Sequence, residues 1–242
     1  MIKFDLPPKP TKLTDELQDK LTQRFKNNPD DSVWNIDWLK DAVSAKSYNK
    51  CCYSEIFLGE ESKYMEIEHF RPKKPYSDEV MSWENLMPSC KKCNTTKRNH
   101  DTVKEPIVNP FVDNPKDYFY IEDSFYRTKA NSEKAKISIK KLGLNDIPHF
   151  VKPRDRTSKK TTEILQYLYK LIVSYKDYSC AERLKNLLST GNRKEAYSAL
   201  VSTIILSDTN FQHIENQLRK NNLWDNELED LKQELEYCAL LK

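Results

Sequence analysis

Glycine is scarce in this chain, with three residues in 242. Because glycine supplies the positive φ angles of tight hairpin turns, so few of them argue against an all-β fold of many short strands. Long hydrophobic runs are also missing: no stretch of 18 apolar residues occurs, so the sequence predicts no membrane-spanning helix. The first residues lack the apolar core of a signal peptide, and we therefore expect a cytoplasmic protein.

The composition limits the class of protein without identifying it. Charged residues make up 32% of the chain and aromatic residues 11%, and this aromatic content argues against disorder. The net charge of +3 is too small to indicate nucleic-acid binding by itself, so local clusters of charge matter more. In a reducing compartment, the six cysteines are expected to be thiols or metal ligands rather than disulfides.

Three regions are predicted: an N-terminal arm with helices (1–49), a central region with short strands (50–127) and a helical C-terminal region (128–242). Three prolines before residue 11 keep the arm extended, and Thr14 opens a helix that runs to about Asn27. A second helical segment is predicted from the apolar spacing of residues 33–42, with its two tryptophans in the core.

The central region is predicted to contain strands at 50–53 and 65–69, a turn at 83–86 and a short helix from Asn94. The aromatic run at 118–121 predicts one more strand. Gly143 is a predicted helix stop. Five further helical stretches are predicted after it, at 161–178, 180–188, 194–206, 210–221 and 226–241.

The most informative residues of the central region are Glu68-His69, followed by Asn85 and by Asn94. Hydrolysis of a phosphodiester needs a base to take a proton from water and a cation to neutralise the phosphate. The ordinary pKa of histidine, about 6.5, makes His69 the candidate base. Carboxylate and amide oxygens suit a hard cation, so Glu68 and Asn94 are the candidate ligands of Mg²⁺ or Mn²⁺.

These residues, in this order and with Cys90-x-x-Cys93 between the two asparagines, resemble the HNH nuclease motif in its His-Asn-Asn form over residues 50–100. The resemblance implies a treble-clef-like ββα-metal core in which Glu68, His69 and Asn94 form the Mg²⁺ site. It also implies that Asn85 holds the loop and orients the base, and that Lys97 meets phosphate. The expected fold is mainly α with a small β-hairpin, and the ββα core lies between N-terminal helices and a C-terminal helical region.

Each residue of the motif has a simpler explanation when taken alone. Glu68 and His69 form an ordinary solvated pair if the strand is exposed, while Asn85 is suited to a turn and Asn94 to a helix N-cap. Strand alternation also sends Glu68 and His69 to opposite faces, unless the strand bends before Pro72. The order of the whole set is what favours the nuclease interpretation.

The cysteines near the motif are half of a recognisable zinc site. Relatives of the HNH family place a second Cys-x-x-Cys before the Glu-His strand, but this chain has Cys51-Cys52-Tyr53-Ser54 there. Neutral serine is a poor zinc ligand, and the adjacent Cys52 must bend sharply to help. Two alternatives therefore stay open: structural Zn²⁺ on Cys51, Cys52, Cys90 and Cys93, or a degenerate knuckle held by packing.

Basic side chains gather around the motif and are predicted to contact the phosphate backbone, without reading its sequence. They are Arg71, Lys73, Lys74, Lys91, Lys92 and Arg98. A second basic cluster at 152–160 is interpreted as a solvated face.

A wider set of short motifs is similar to one bacterial group, the HNH effectors (PtuB) of Septu-type antiphage systems, which also occur beside some retrons. The motifs are Lys50-Cys51-x-Tyr53, Ile67 to Lys73, Trp83-x-Asn85-Leu86, Asn109-Pro110-Phe111 and Leu142 to Asn145. This resemblance implies cleavage of nucleic acid, with DNA expected, and an ABC-type ATPase (PtuA-like) as partner. The alternatives are a stand-alone restriction-type nuclease and a non-catalytic zinc knuckle that binds nucleic acid.

Overall fold

The structure, a computed structural model, describes residues 1–59 and 65–242. The chain divides into two compact units. The first comprises Lys3–Asn114 and Ala130–Leu144, and the second Pro115–Lys129 and Asn145–Lys242. This division differs from the predicted boundary at 127/128, because residues 115–129 cluster with the later helices and 130–144 with the motif region.

The first unit begins with an extended arm and two helices. The arm is tied down where the Phe4 N–H donates to the Pro110 carbonyl at 2.9 Å. Helix α1 (Asp15–Asn27) starts where the Thr14 hydroxyl accepts from the Leu17 N–H, and acidic residues in its first turn favour the positive end of the helix dipole. Helix α2 (Asp37–Ala45) follows. Both helices were predicted, although α2 begins four positions after Val33 because residues 33–36 are not helical.

The centre of the first unit is a ββα arrangement. Strand β1 (Met65–His69) pairs antiparallel with β2 (Leu86–Cys90), and helix α3 (Lys91–Lys97) follows β2 directly. Apolar residues of α1, α2 and the hairpin share one core, which includes Phe25, Leu39 and Ile67. Burial of such side chains stabilises the unit by roughly 1.5–3 kcal/mol each. This core therefore fixes the hairpin against the N-terminal helices.

The strand predicted at 50–53 is wrong. The chain reverses there instead: the Cys51 N–H donates to the Ile56 carbonyl at 2.8 Å, and Lys50 bridges Phe57. This turn docks on β2 through a bond from the Cys52 N–H to the Pro88 carbonyl. Short runs rich in cysteine and tyrosine fit a strand by propensity, but contacts with β2 decide the outcome.

Helix α4 (Glu133–Leu142) completes the first unit and confirms the predicted stop at Gly143. Gly143 has a φ of +63°, and a Cβ there would lie 3.3 Å from the Thr96 side chain of α3. Glycine is therefore favoured by both its backbone conformation and the close approach of the two helices.

The second unit contains one hairpin, β3 (Phe119–Glu122) with β4 (Phe125–Thr128), and a bundle of helices. The helices are α5 (Lys152–Tyr169), α6 (Ala181–Ser189), α7 (Ser198–Ser207), α8 (Thr209–Lys220) and α9 (Asn226–Cys238). Their buried leucines and isoleucines form a separate core. All five predicted helical stretches are confirmed, but α5 begins at Lys152 because Pro153 is tolerated in a first turn.

The predicted strand at 118–121 is confirmed as β3. Over the described residues the chain is mainly helical, as expected, and it has a second small hairpin beside the expected one. Among the helices of the described residues, none is long and apolar enough to cross a membrane.

Candidate active site

The candidate site lies at the end of β1, beside α3. β1 stays paired with β2 through His69, so the strand is regular at the Glu68-His69 pair and does not bend there. The two side chains consequently point to different neighbours: Glu68 contacts Tyr53 and α3, while His69 contacts Trp34. Both are nevertheless on the border of one cleft of about 160 Å³, which Asn94, Lys73 and Arg98 also line. Three residues predicted from the motif therefore meet at one cleft.

His69 is held in one protonation state by its surroundings. Its Nε2 lies 2.9 Å from the Val80 carbonyl, which can only accept, so Nε2 carries the proton and Nδ1 has the free lone pair. Burial lowers the pKa of His69 to about 3, and the positive charge of Lys73 acts in the same direction. The imidazole is therefore neutral at pH 7, as a general base must be before it takes a proton.

Trp34 and Lys73 form one side of the His69 environment. The Trp34 ring meets the imidazole edge-on at 4.6 Å between centroids, and the Lys73 ammonium lies 4.0 Å from the centre of the same indole. The prediction that Trp34 packs in the core is confirmed, since it lies against the core of the first unit. Its contact with His69 had no signal in the sequence, because the segment before α2 and strand β1 meet only in the fold.

Asn85 closes the loop between the two strands. Its side-chain oxygen accepts from the Arg71 N–H at 2.7 Å, and its amide nitrogen donates to the carbonyls of Arg71 and Glu79. Its own carbonyl accepts from the Phe70 N–H at 2.9 Å. The side chain is 4% exposed, so these bonds are made away from water. Asn85 thus fixes both ends of the 71–79 segment, next to the Val80 carbonyl that holds His69.

A buried lysine that was not predicted as a site residue supports the turn that contains Asn85. The Lys46 ammonium donates to the carbonyls of Trp83 and Leu86, which flank Asn85, and lies 3.7 Å from the centre of the Trp83 ring. Burial lowers the pKa of Lys46 to about 7, and only weaker effects of Cys52 and Glu84 oppose it.

This pKa predicts a pH-dependent stability. Between about pH 7 and pH 10 the unfolded chain holds the Lys46 proton more tightly than the folded chain, so the free energy of unfolding rises with pH in that window. Relative to Lys46→Met, the wild-type value should gain about 2 kcal/mol between pH 7 and pH 9 in urea unfolding. The exposed-lysine variant Lys104→Met, as control, should track the wild type. If the free energy of unfolding changed equally with pH in the wild type and in Lys46→Met, the low pKa of Lys46 would be contradicted.

Glu68 has protein donors on both carboxylate oxygens. The Tyr53 hydroxyl donates to Oε2 at 2.8 Å, and the Lys97 ammonium forms an ion pair with Oε1. Lys97 also donates to the His69 carbonyl at 2.8 Å, and its side chain is fully buried. The resemblance implied that Lys97 meets phosphate. In the structure the Lys97 ammonium is instead buried against the Glu68 carboxylate of β1.

Asn94 projects from α3 toward β1. Its amide nitrogen donates to Oε2 of Glu66 at 2.7 Å, and the side chain borders the cleft. Asn94 is not the helix N-cap considered from the sequence: that position is Cys90, whose sulfur accepts from the Cys93 N–H. An amide whose nitrogen is engaged presents its oxygen as the remaining acceptor.

The donor set at this cleft fits a hard divalent cation. It offers the Glu68 carboxylate and the Asn94 amide oxygen, the atom types that Mg²⁺ and Mn²⁺ prefer, and soft ligands are absent from the lining residues. The lone pairs left on the Glu68 oxygens by Tyr53 and Lys97 provide for coordination, since each carboxylate oxygen accepts more than one bond.

Three thiols form a second cluster, contributed by the Cys51–Ser54 turn, the end of β2 and the first turn of α3. The sulfurs of Cys51, Cys90 and Cys93 lie within 4.8 Å of one another, and all three residues are buried. Ser54 completes the group, with its hydroxyl 3.7 Å from the Cys90 sulfur. Burial alone would raise the pKa of Cys51, but hydrogen bonds from Cys90 and Cys93 outweigh it and hold that pKa well below its usual range.

Cys52 does not belong to this cluster, contrary to the ligand set considered above. It follows Cys51 in the turn, where its backbone N–H bonds to the Pro88 carbonyl, and its thiol is outside the group of mutually close sulfurs. Burial, reinforced by the nearby charge of Cys51, raises the pKa of the Cys52 thiol well above its usual range. Adjacent residues cannot both turn toward one centre without distorting the turn.

The basic side chains of the motif region divide into two groups by exposure. Lys73 and Lys92 are half-buried, whereas Arg71, Lys74, Lys91 and Arg98 are exposed. Lys73 and Arg98 line the cleft itself. Arg71 forms an ion pair with Glu79 at 2.5 Å, so its charge is partly neutralised within the loop.

Comparison with known proteins finds relatives over the motif and over nearly the whole chain. A family profile described as HNH endonuclease matches residues 50–100. A Septu protein PtuB of Bacillus thuringiensis is 36% identical over 240 residues, which is 96% of this chain and 92% of that protein. A second Septu protein PtuB, from Bacillus mycoides (strain KBAB4), is 33% identical over 153 residues, or 50% of this chain and 49% of its own length.

Proposed function

The chain belongs to the Septu PtuB family and is an HNH endonuclease, and from that premise we propose that it cleaves nucleic acid as an antiphage effector, with His69 as general base. The observation that carries the proposal is the meeting of His69, Glu68 and Asn94 at one cleft. DNA is the proposed substrate.

His69 is suited to the first proton transfer. A water beside Nδ1 would lose a proton to the imidazole, while Nε2–H keeps its bond to the Val80 carbonyl. That bond stabilises the imidazolium as it forms, because a carbonyl oxygen attracts the charged donor more strongly than the neutral one. An approaching phosphate would raise the basicity of His69 by opposing the charge of Lys73.

The cation that HNH nucleases require is proposed to be Mg²⁺ or Mn²⁺, held by the oxygens of Glu68 and Asn94 at the cleft that His69 lines. When bound, it supplies positive charge to the scissile phosphate and the departing oxygen. Lys97 keeps Glu68 in place from the buried side, and we propose that its charge acts on the reaction through that carboxylate.

Asn85 is proposed to act as a positioning residue. It holds the 71–79 segment at both ends, and the Val80 carbonyl that orients His69 lies directly after that segment. A shift of this loop would turn the imidazole away from the cleft, even though Asn85 does not line it.

Substrate grip is assigned to the basic residues around the cleft. Lys73 and Arg98 lie at its border. Lys74, Lys91 and Lys92 are close in sequence to residues that line the cleft, and Arg71 lies in the segment that Asn85 holds. Contacts of this kind neutralise phosphates and release counterions, so binding should weaken as salt rises. They give affinity without sequence selectivity.

A structural Zn²⁺ is proposed for the thiol cluster, with Cys51, Cys90 and Cys93 as ligands. A tetrahedral site with Zn–S bonds of about 2.3 Å places its sulfurs roughly 3.8 Å apart, which agrees with the mutual closeness of the three thiols. The fourth position would fall to the Ser54 hydroxyl or a water.

The proposed partner is an ABC-type ATPase of the PtuA kind, by family membership. The test is co-expression with an ATPase of the PtuA kind, followed by cleavage assays on DNA and RNA with and without nucleotide. Cleavage by the complex and not by the isolated chain supports an effector. Equal cleavage by the isolated chain would favour the stand-alone nuclease, and absence of cleavage under all conditions would favour the non-catalytic zinc knuckle.

Substitution of Asn94 tests the cation site within the same assay. Asn94→Ala removes one oxygen ligand, so half-maximal cleavage should need roughly tenfold more Mg²⁺, in the range of losses seen for disturbed metal sites. The matched control is Asn226→Ala, an exposed asparagine at the start of α9 in the second unit. An unchanged Mg²⁺ titration in Asn94→Ala would remove Asn94 as a ligand.

A further inference from the structure

We propose that Glu66, which precedes the motif, is a positioning residue that selects the oxygen end of the Asn94 amide for the cation; this rests on the ligand role of Asn94 in the proposed function. Glu66 Oε2 accepts from the Asn94 amide nitrogen at 2.7 Å. Glu66 is two residues before Glu68 on β1, so both carboxylates leave the same face of the strand.

The need for such a residue follows from the chemistry of an amide. The asparagine side chain has a donor end and an acceptor end of nearly equal shape, and only the oxygen end can bind a cation. A carboxylate can only accept, so Glu66 pairs with the nitrogen and leaves the oxygen for the metal. A 180° turn of the amide would place its oxygen against the Glu66 carboxylate, with two acceptors in contact.

Two pairs of side chains connect β1 to α3, and their spacing explains the positions of Glu66 and Glu68 on the strand. Glu66 meets Asn94, and Glu68 meets Lys97. Residues two apart on a strand share a face, and residues three apart on a helix share a face, so the two spacings match across the interface. The first pair orients Asn94, the ligand on the helix, and the second holds Glu68, the ligand on the strand.

A competing role for Glu66 is direct coordination of the cation. Lys73, Arg98 and the buried Lys97 bring three positive charges close to the cleft, and Glu66 is a second carboxylate beside Glu68. The two roles make different demands: orientation needs an acceptor at this position, whereas coordination by charge needs the carboxylate itself. Glutamine keeps the acceptor and removes the charge.

The experiment measures Mn²⁺ affinity of the full chain by calorimetry and by electron paramagnetic resonance, so that it does not depend on cleavage. Glu66→Ala should weaken binding by roughly 10–100-fold, as loss of a ligand's supporting hydrogen bond does in other metal sites. Glu66→Gln should lose only roughly fivefold or less, the size of a screened interaction between partly exposed charges. Glu122→Gln, an exposed strand carboxylate paired with Arg127, is the control for charge.

A double-mutant cycle decides whether Glu66 acts through Asn94. If it does, Glu66→Ala adds almost nothing to the loss already caused by Asn94→Ala. Additive losses, or a Glu66→Gln variant as weak as Glu66→Ala, would overturn the orienting role and indicate a direct ligand. Wild-type affinity in Glu66→Ala, or in Asn94→Ala, would also overturn it. Thermal unfolding of each variant without metal separates these results from misfolding.

Metal binding and cleavage are separate readouts, so failure of the orienting role and failure of the nuclease proposal can be told apart. Failure to cleave any substrate would reject the proposed function while coupled Mn²⁺ losses at Glu66 and Asn94 still supported the orienting role. Normal cleavage, with Mn²⁺ losses at Glu66 and Asn94 that simply add, would support the proposed function and reject the orienting role.

Discussion

Cleavage by His69→Ala is expected to fall by roughly 10²–10⁴-fold, the contribution of a positioned general base. The Nδ1 lone pair is the only proton acceptor that this residue brings to the cleft, because Nε2 donates to the Val80 carbonyl. The side chain is 6% exposed and packs on Trp34, so alanine also leaves a void. A second variant is therefore needed that keeps the volume and the donor.

His69→Gln provides that second variant. Its amide nitrogen can still donate to Val80, but an amide does not take a proton from water, so the same loss of rate is expected with near wild-type stability. His149→Ala is the matched control, since His149 is a half-exposed histidine of the second unit that pairs with Asp146. Affinity for uncleaved nucleic acid, measured in Ca²⁺, should be unchanged in all three variants. A His69→Gln protein with wild-type turnover would rule out His69 as the base.

The motif could be predicted from the sequence because its chemistry depends on residue type and order. His69, Asn85 and Asn94 are the residue types that hydrolysis and cation binding need, and the structure brings His69 and Asn94 to one cleft. Asn85 was expected to hold a loop, and its three side-chain hydrogen bonds do so. Their residue types and order are visible in the sequence, whereas the contacts of Asn85 with Arg71 and of Asn94 with Glu66 span 14 and 28 positions and come only from the fold.

Contacts that reach the site across the fold left no comparable signal, although Tyr53 itself belongs to the Lys50-Cys51-x-Tyr53 motif. Tyr53, Glu66 and Lys46 reach the site from a turn, a strand and a helix end, and each partner is more than ten positions away along the chain. Their side chains are ordinary for surface positions. Lys97 was predicted from the resemblance to meet phosphate, but the buried carboxylate of Glu68 provides a partner that only the packed structure reveals.

Strand β2 shows why the elements themselves were partly missed. Leu86 to Cys90 includes Pro88, which lacks an N–H and is disfavoured inside sheets. The hairpin tolerates it because β2 has β1 as its single strand neighbour within the described residues, so the edge toward the Cys51–Ser54 turn needs only carbonyl acceptors there. The Pro88 carbonyl accepts from Cys52 on that side. Proline thus lies on an edge strand, where its missing N–H leaves no ladder bond unmade.

The thiol cluster makes the second large prediction: purified protein should contain one Zn²⁺ per chain, and Cys93→Ala should lose it. Three buried sulfurs within 4.8 Å of one another are close enough to share one tetrahedral metal ion, which would satisfy all of them. Structural zinc contributes roughly 10–16 kcal/mol in zinc-finger peptides, as much as the ~5–15 kcal/mol that stabilises an ordinary domain. Removal should therefore unfold the turn at 51–54 and loosen α3, which begins at the cluster.

Cys52→Ala is the matched control, because Cys52 is equally buried and adjacent in sequence but outside the cluster. It should keep its zinc and lose only the packing of one thiol, about 1 kcal/mol. Elemental analysis and thermal unfolding with and without a chelator distinguish the two variants. Since α3 presents Asn94 to the cleft, the Cys93→Ala protein should also bind Mn²⁺ more weakly, without a change at any ligand of that ion. A zinc-to-protein ratio near zero in the wild type, with equal melting temperatures for Cys52→Ala and Cys93→Ala, would show instead that packing alone holds the knuckle.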